Sequence, residues 1–203
     1  MALASVYLLG MGSYMLYGSK IEKIRQREVY LDFIHWRGDE QVLDVGCGRG
    51  LMLVAAARRL TTGKATGIDI WEAKDQSSNT REAPLQNAKL EHVSDLVDVL
   101  TADMRKLPFA DQSFDVVLSH WVVHNLEKES ERTTALEEMA RVLRPDGQII
   151  LADIEFREAY QARLADLGFA NVKLVVNPIK DMILSAVSFG SFRPFVISAQ
   201  KSA

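Results

Sequence analysis

The chain has 203 residues, of which 48% are hydrophobic and 25% charged, an ordinary globular composition that fits one domain with a single core. With 24 Lys and Arg against 27 Asp and Glu the formal net charge is −3, which gives no general attraction to nucleic acid, and no long basic run supplies a local one. Cys47 is the only cysteine, so an intrachain disulfide is excluded and a reducing, cytoplasmic compartment fits.

Residues 1–19 (MALASVYLLGMGSYMLYGS) contain no charged side chain, and a basic stretch follows with Lys20, Lys23, Arg25 and Arg27 against only Glu22 and Glu28. A bilayer span needs roughly 20 apolar residues, so the run is borderline, and Gly10, Gly12, Gly18 and three serines weaken it further. The basic leader and small-residue cleavage site of a signal peptide are missing. Two readings stay open. One is a membrane anchor that holds the rest of the chain at the inner, cytoplasmic face; the other is an amphipathic helix packed over the mouth of a site. Residues 1–36 are therefore set apart from a domain at 37–203.

Residues 20–36 predict a helix, with Ile21, Ile24, Leu31 and Ile34 recurring at helical spacing until Gly38-Asp39 breaks it. Short β-rich runs then alternate with helical stretches. The strand candidates are 41–45, 65–70, 96–101, 114–119 and 147–152, and the helical candidates are 50–60, 84–93, 130–143 and 156–167. That alternation predicts an α/β fold, a parallel sheet with helices on both faces. Strand-like runs at 171–176 and 193–200 lack a long crossover helix between them, and the apolar segment 177–191 separates them. An antiparallel pair closing one edge is the simplest arrangement.

The chemistry starts at Asp44-Val45-Gly46-Cys47-Gly48-Arg49-Gly50, between an apolar strand and an Ala/Leu-rich helix. Glycines at alternate positions permit tight curvature and close approach of a ligand, and the helix N-terminus offers unpaired N–H groups to a carboxylate. Dinucleotide-binding domains use similar logic, but their third glycine follows the second by three positions, whereas Gly50 follows Gly48 by two. Cys47, between two glycines, reads as a small residue beside a ligand rather than as a nucleophile.

From this loop onward, over roughly residues 30–200, the sequence resembles the class I S-adenosylmethionine-dependent methyltransferases. The resemblance implies a three-layer Rossmann-like fold with a seven-stranded, mostly parallel sheet of order 3-2-1-4-5-7-6 and an antiparallel C-terminal hairpin. It implies S-adenosylmethionine as cofactor, with Asp44 near its ammonium group and the backbone at Gly46 and Gly48 beneath its methionine and ribose. Asp69, closing the second strand, would accept from the ribose hydroxyls; the alternative is a solvated strand-end acid. Asp103 and Met104 after the third strand would meet the adenine amino group and ring. Cys47, Gly50, Ile70, Trp71 and Ser119 complete the implied cofactor set, with Trp71 in a polar loop, 71–83, that could cover the ligand. Leu107-Pro108-Phe109, Asp111 to Asp115 and Arg144-Pro145-Asp146-Gly147 continue the family pattern, the last as a turn into the fifth strand.

The fold would place the methyl acceptor beside Ser119-His120-Trp121-Val122-Val123-His124-Asn125. His120 and His124 are the candidates for proton transfer, since imidazole titrates near neutral pH; helix capping and turn stabilisation are the competing roles. Asp153 at the end of the fifth strand faces the same side or orders a loop. The expected partner is a small molecule, lipid-like if the apolar segments at 1–19 and 182–192 serve it, with membrane contact through residues 1–19. Neither nucleic acid nor a metal site is expected, and oligomeric state stays open. An NAD(P)-dependent oxidoreductase would share the glycine turn and Asp69 but leaves Asp103-Met104 unexplained. A non-catalytic interaction module of the same fold is the other alternative; the intact set of Asp44, Gly46, Gly48, Asp69 and Asp103 argues against loss of the cofactor.

Overall fold

The computed structural model describes residues 23–72, 79–176 and 193–202. The uncharged run 1–19, Asp75, Gln76 and Ser77, and the apolar segment 177–191 lie outside the described residues. Helix α1 is Lys23–Leu31; β1 (Gln41–Val45), α2 (Leu51–Ala57), β2 (Lys64–Asp69), α3 (Glu82–Leu90) and β3 (Val97–Thr101) follow. Then come β4 (Phe114–His120), α4 (Glu129–Val142), β5 (Leu143–Asp153), α5 (Arg157–Asp166), β6 (Phe169–Val175) and β7 (Phe195–Lys201). The strands form one seven-stranded sheet of order β3-β2-β1-β4-β5-β7-β6. β1 to β5 pair in parallel, and β7 runs antiparallel between β5 and β6. This is the architecture expected from the sequence.

Both faces of the sheet are covered at its centre, so β1, β4 and the second half of β5 are nearly continuous apolar runs, whereas the edge strands β3 and β6 alternate with exposed residues. Val42, Val116, Leu118 and Ile150 pack on one side with α1 and α2; Leu43, Val45, Val117, Ile149 and Leu151 pack on the other with α4 and α5. The period of two along β1 turns Asp44 to the same side as Val42, where it is 1% exposed. A carboxylate thus sits where the pattern would place an aliphatic side chain.

Two elements differ from expectation. The first helix ends at Leu31, short of residue 36. Trp36 Nε1 donates to the Leu31 carbonyl at 2.9 Å, and Ile34 N donates to the same carbonyl at 3.2 Å, closing a tighter turn. Ile24, assigned to the apolar stripe, is 48% exposed. Residues 144–147, expected as a turn before β5, lie within it: Phe114 pairs with Leu143 and Val116 with Gln148, so the intervening residues bulge. Asp146 takes a φ of 62°, a left-handed conformation within the bulged segment. Asp115 clamps this region, accepting from Gln41 N at 2.7 Å and from Arg144 Nη1 at 2.8 Å.

Candidate functional site

The carboxyl ends of β1, β2, β3 and β4 open into a cavity of about 1200 Å³. That exceeds the roughly 300–1,000 Å³ of most small-ligand sites and leaves room for two molecules. The glycine loop forms its floor. Gly46, Gly48 and Gly50 all have positive φ (70°, 48° and 83°), and Gly50 starts α2 from the left-handed region. Gly46 N and Cys47 N both donate to the Ile68 carbonyl at 2.9 Å, which fastens the loop to β2. A Cβ at Gly46 would overlap Val122 from the segment after β4, so this glycine is required by loop-on-loop packing. The sequence attributes it to approach of a ligand; the structure adds a neighbour that no local pattern discloses.

Asp69 joins the loop to the second strand. Its Oδ2 accepts from Gly48 N at 2.9 Å; its Oδ1 accepts from Trp71 N at 2.7 Å and from Asn79 Nδ2 at 3.3 Å. Three donors fix the carboxylate, and an ionised carboxylate has about four lone-pair sites, so it can still accept from a ligand. Asn79, which sequence reading missed, is 8% exposed, and its Oδ1 has no partner. Because Asp69 only accepts, the amide must turn its NH₂ there, which leaves the oxygen as the unmatched atom. Its only sequence signal is its polarity beside the start of α3; the return of the loop to Asp69 is a tertiary fact.

Asp44 also lines the cavity, and its buried Oδ2 has no partner. Burial, opposed by the Leu53 amide and reinforced by the nearby Asp69, pushes its pKa from the ordinary 3.8 up to about 7. Burial and the same two acids push the Cys47 thiol well above its ordinary range, so it stays protonated and is no nucleophile. Asp103 is at the mouth, held by Arg105 through both carboxylate oxygens at 2.6–3.0 Å, while Arg105 Nη1 reaches Glu131 Oε1 at 2.6 Å. The Arg105 hydrogen bond holds the Asp103 carboxyl below its usual range. Met104 and Ile70 line the cavity as well.

Three of the residues assigned by sequence do not line it. Trp71 turns instead to Thr101, donating from Nε1 to Oγ1 at 2.8 Å, and packs on the α1–α2 side of the core. Ser119 is 2% exposed behind the cavity wall. His124 is drawn to Asp153: Nδ1 lies 2.5 Å from Oδ1, and His124 N donates to Oδ2 at 3.1 Å. Asp153 is completely buried and also accepts from Ile154 N at 2.9 Å, so it orders the short helical turn Val123–Asn125 rather than facing the cavity. His120 does line the cavity. Burial, with the positive charge of Lys23 added, holds its pKa down to about 4, so the ring is neutral at physiological pH. Among the described residues no three His, Cys, Asp or Glu side chains gather into a metal-sized group. No helix among them is long and apolar enough to cross a membrane.

Comparison with known proteins identifies the family and the fold. A methyltransferase-domain family profile matches residues 43–151, which include Asp44, Asp69, Asp103, His120 and His124. The chain belongs to the class I S-adenosylmethionine-dependent methyltransferases. It is 37% identical over 117 residues to methyltransferase GfsG of Streptomyces halstedii, a match covering 58% of this chain and 38% of that one. It is 34% identical over 111 residues to demethylmenaquinone methyltransferase of Staphylococcus aureus (strain MRSA252), covering 54% and 41% of the two chains. The matched region thus spans about two fifths of these curated relatives. Among solved structures, the [4+2]-cyclase SpnF superposes with a TM-score of 0.71 at 18% identity, covering 89% of this chain and 81% of that one. Geranyl diphosphate methyltransferase, solved with its bound cofactor, gives 0.69 at 18%, covering 88% and 85%. At that identity the likeness concerns the fold alone.

The family's cofactor is S-adenosylmethionine, and this chain's residues fit it. Two buried polar atoms in the cavity wall, Asp44 Oδ2 and Asn79 Oδ1, lack partners, and each such atom costs roughly 1–3 kcal/mol until something satisfies it. A ligand with an ammonium group and a ribose diol brings donors suited to both.

Proposed function

We propose that this chain transfers a methyl group from S-adenosylmethionine to a small acceptor with substantial apolar bulk. In this reading Asp44 holds the ammonium group, Asp69 the ribose hydroxyls and Asp103 the adenine amino group, with the loop Gly46 to Gly50 beneath and Met104 and Ile70 beside the nucleoside. Bound there, the sulfonium supplies an activated methyl group; the chain's own part is alignment and exclusion of water.

The observation that carries the acceptor is the far end of the cavity. Beyond the glycine loop it is walled by His120 and Trp121, and its rim exposes Ile24 at 48% and Leu90 at 76%. Exposed aliphatic side chains rimming a cavity mark a place where apolar surface is received. The resemblance to demethylmenaquinone methyltransferase, whose name denotes a lipid-like acceptor, supports the same class. Neither histidine supports proton abstraction strongly. His120 is too weak a base, and His124, held by Asp153, does not line the cavity. The acceptor is therefore one whose methylation needs no proton taken by a histidine.

Labelled S-adenosylmethionine incubated with the protein and fractionated cell extract tests the reading: label should enter a small, organic-extractable product. Calorimetry should show S-adenosylhomocysteine binding and no comparable binding of NAD. Cofactor binding without transfer to any fraction would overturn methyl transfer and favour a non-catalytic module. Membrane contact through residues 1–19 belongs to the same reading. Deleting residues 1–18 should lower both membrane partition and turnover of lipid extracts, and unchanged values for both would remove it.

A further inference from the structure

The far wall of the cavity carries a cation. Asp44, Asp69 and Asp103 stand at the ends of β1 to β3, whereas the wall beyond β4 carries Lys23 from the first turn of α1. Lys23 Nζ lies 5.1 Å from the centroid of the Trp121 ring. That ring is stacked on His120 at 5.1 Å and 12°, and Tyr30 lies 6.2 Å from the same imidazole. Among the described residues no carboxylate pairs with Lys23. The other charged side chains on this wall are Arg27, Glu91, Glu127, Lys128 and Glu131; Arg27 is 3.9 Å from Glu91, Glu91 is also paired with Arg58 at 3.4 Å, and Glu131 is paired with Arg105 at 2.6 Å. The Lys23 ammonium thus stands over the Trp121 ring with no ion-pair partner among the described residues.

The backbone is strained to make this platform. Trp121 has a φ of 56°, a conformation that a bulky side chain adopts only when its surroundings impose it, and its N–H is pinned to the Ala152 carbonyl at 2.8 Å. Such outliers gather where a side chain must be aimed, and this one lays an indole across the cavity wall. An aromatic wall receives the ring of a flat ligand, and an ammonium beside it favours that ligand's anionic form over its neutral one.

We propose that Lys23 and the stacked Trp121 and His120 rings form the acceptor subsite for a planar phenol or enol bound as its oxyanion. This rests on the methyl-transfer reading above and deepens it, since Lys23 removes the need for a protein base. The acceptor loses its proton to solvent on binding. Its oxygen then takes the methyl group, its own electron pair forming the new oxygen–carbon bond while the carbon–sulfur pair stays on sulfur. An anion and a cation are both neutralised, and the chain moves no proton in that step.

The test uses 4-nitrophenol, whose anion absorbs in the visible, with the full chain saturated by S-adenosylhomocysteine. Bound probe should ionise at a pH lower by about one unit or more than free probe, the usual effect of an opposite charge within a few ångströms. Lys23→Met should abolish that shift and weaken phenolate binding by about tenfold or more, Lys23→Arg should retain most of both, and Trp121→Ala should weaken neutral and anionic probe alike. S-adenosylhomocysteine affinity should be the same in wild type and Lys23→Met, which also shows that the variant is folded. An equal shift in Lys23→Met, or no probe binding to the wild type, overturns the subsite. Failure of S-adenosylhomocysteine to bind at all overturns the cofactor reading instead, so the two failures are distinct.

Discussion

The two ends of the cavity are built in different ways. At the ends of β1 and β2, backbone hydrogen bonds hold the working parts: the loop hangs from the Ile68 carbonyl, and Asp69 is fixed by the Gly48 and Trp71 amides. Beyond β4 the parts are side chains from separate elements, with Lys23 on α1, Leu90 on α3 and Trp121 after the strand. A backbone-held site tolerates little change and serves one ligand; a side-chain wall can be repainted without disturbing what lies beneath it. In the proposed function the backbone-held half takes the cofactor, and the side-chain wall is where acceptor specificity would be set.

Gly46→Ala strains this contrast most. Forcing a Cβ residue to stay left-handed and to overlap Val122 should together cost about 2–5 kcal/mol, seen as a lower unfolding midpoint and near-loss of S-adenosylhomocysteine binding. Adding Val122→Ala should restore part of the binding; if it restores none, the packing account of Gly46 is wrong. Asp153→Ala, which strips His124 and Ile154 of their buried acceptor, should lower stability by about 2–3 kcal/mol in urea while leaving S-adenosylhomocysteine affinity within a factor of about two. A large affinity loss there would show that the two ends are not separable. Asp69→Asn should do the reverse, weakening S-adenosylhomocysteine by roughly 10- to 100-fold in calorimetry with only a modest change in melting temperature.

A subtler effect follows from Asp44. Its folded pKa is raised to about 7 above an ordinary 3.8, so its contribution to stability is fully present below the lower value and is lost as pH rises through the upper one. An ammonium ligand binds the ionised form. S-adenosylhomocysteine affinity should therefore fall as pH drops below 7, by at most about tenfold per unit, and Asp44→Asn should flatten both trends. The smallest effect belongs to Arg105→Ala. The Arg105 ion pairs are at the exposed mouth, so cofactor affinity should change less than about threefold, and added salt should erase the difference.

Legibility in the sequence follows the same division. The strands, the glycine loop and Asp69 were readable because strand periodicity and positive-φ glycines are local properties, and the antiparallel ending was readable from the missing crossover. Trp71, Ser119 and His124 were assigned by position along the chain, but the direction of a side chain at a strand end depends on its neighbours. Trp71 found Thr101, and His124 found Asp153 on another strand. Asn79 and Lys23 could not be found at all, because each reaches the cavity from an element whose docking no local pattern specifies. Asp44 shows the opposite case: a charged residue inside an apolar strand breaks the pattern, and the break itself marks the site.

The placement of β7 between β5 and β6 has a consequence for how the molecule is made. β6 is hydrogen-bonded in the sheet through β7, so the chain through Val175 leaves the apolar edge of β5 open and β6 without its ladder. During synthesis the half that carries the glycine loop can assemble as it emerges, while the β5 edge waits for Phe195–Lys201. An unpaired strand edge of this kind is a template for association with another chain. The interval before β7 arrives is when this protein is most exposed to aggregation, and slowing translation just upstream of residue 195 would lengthen it.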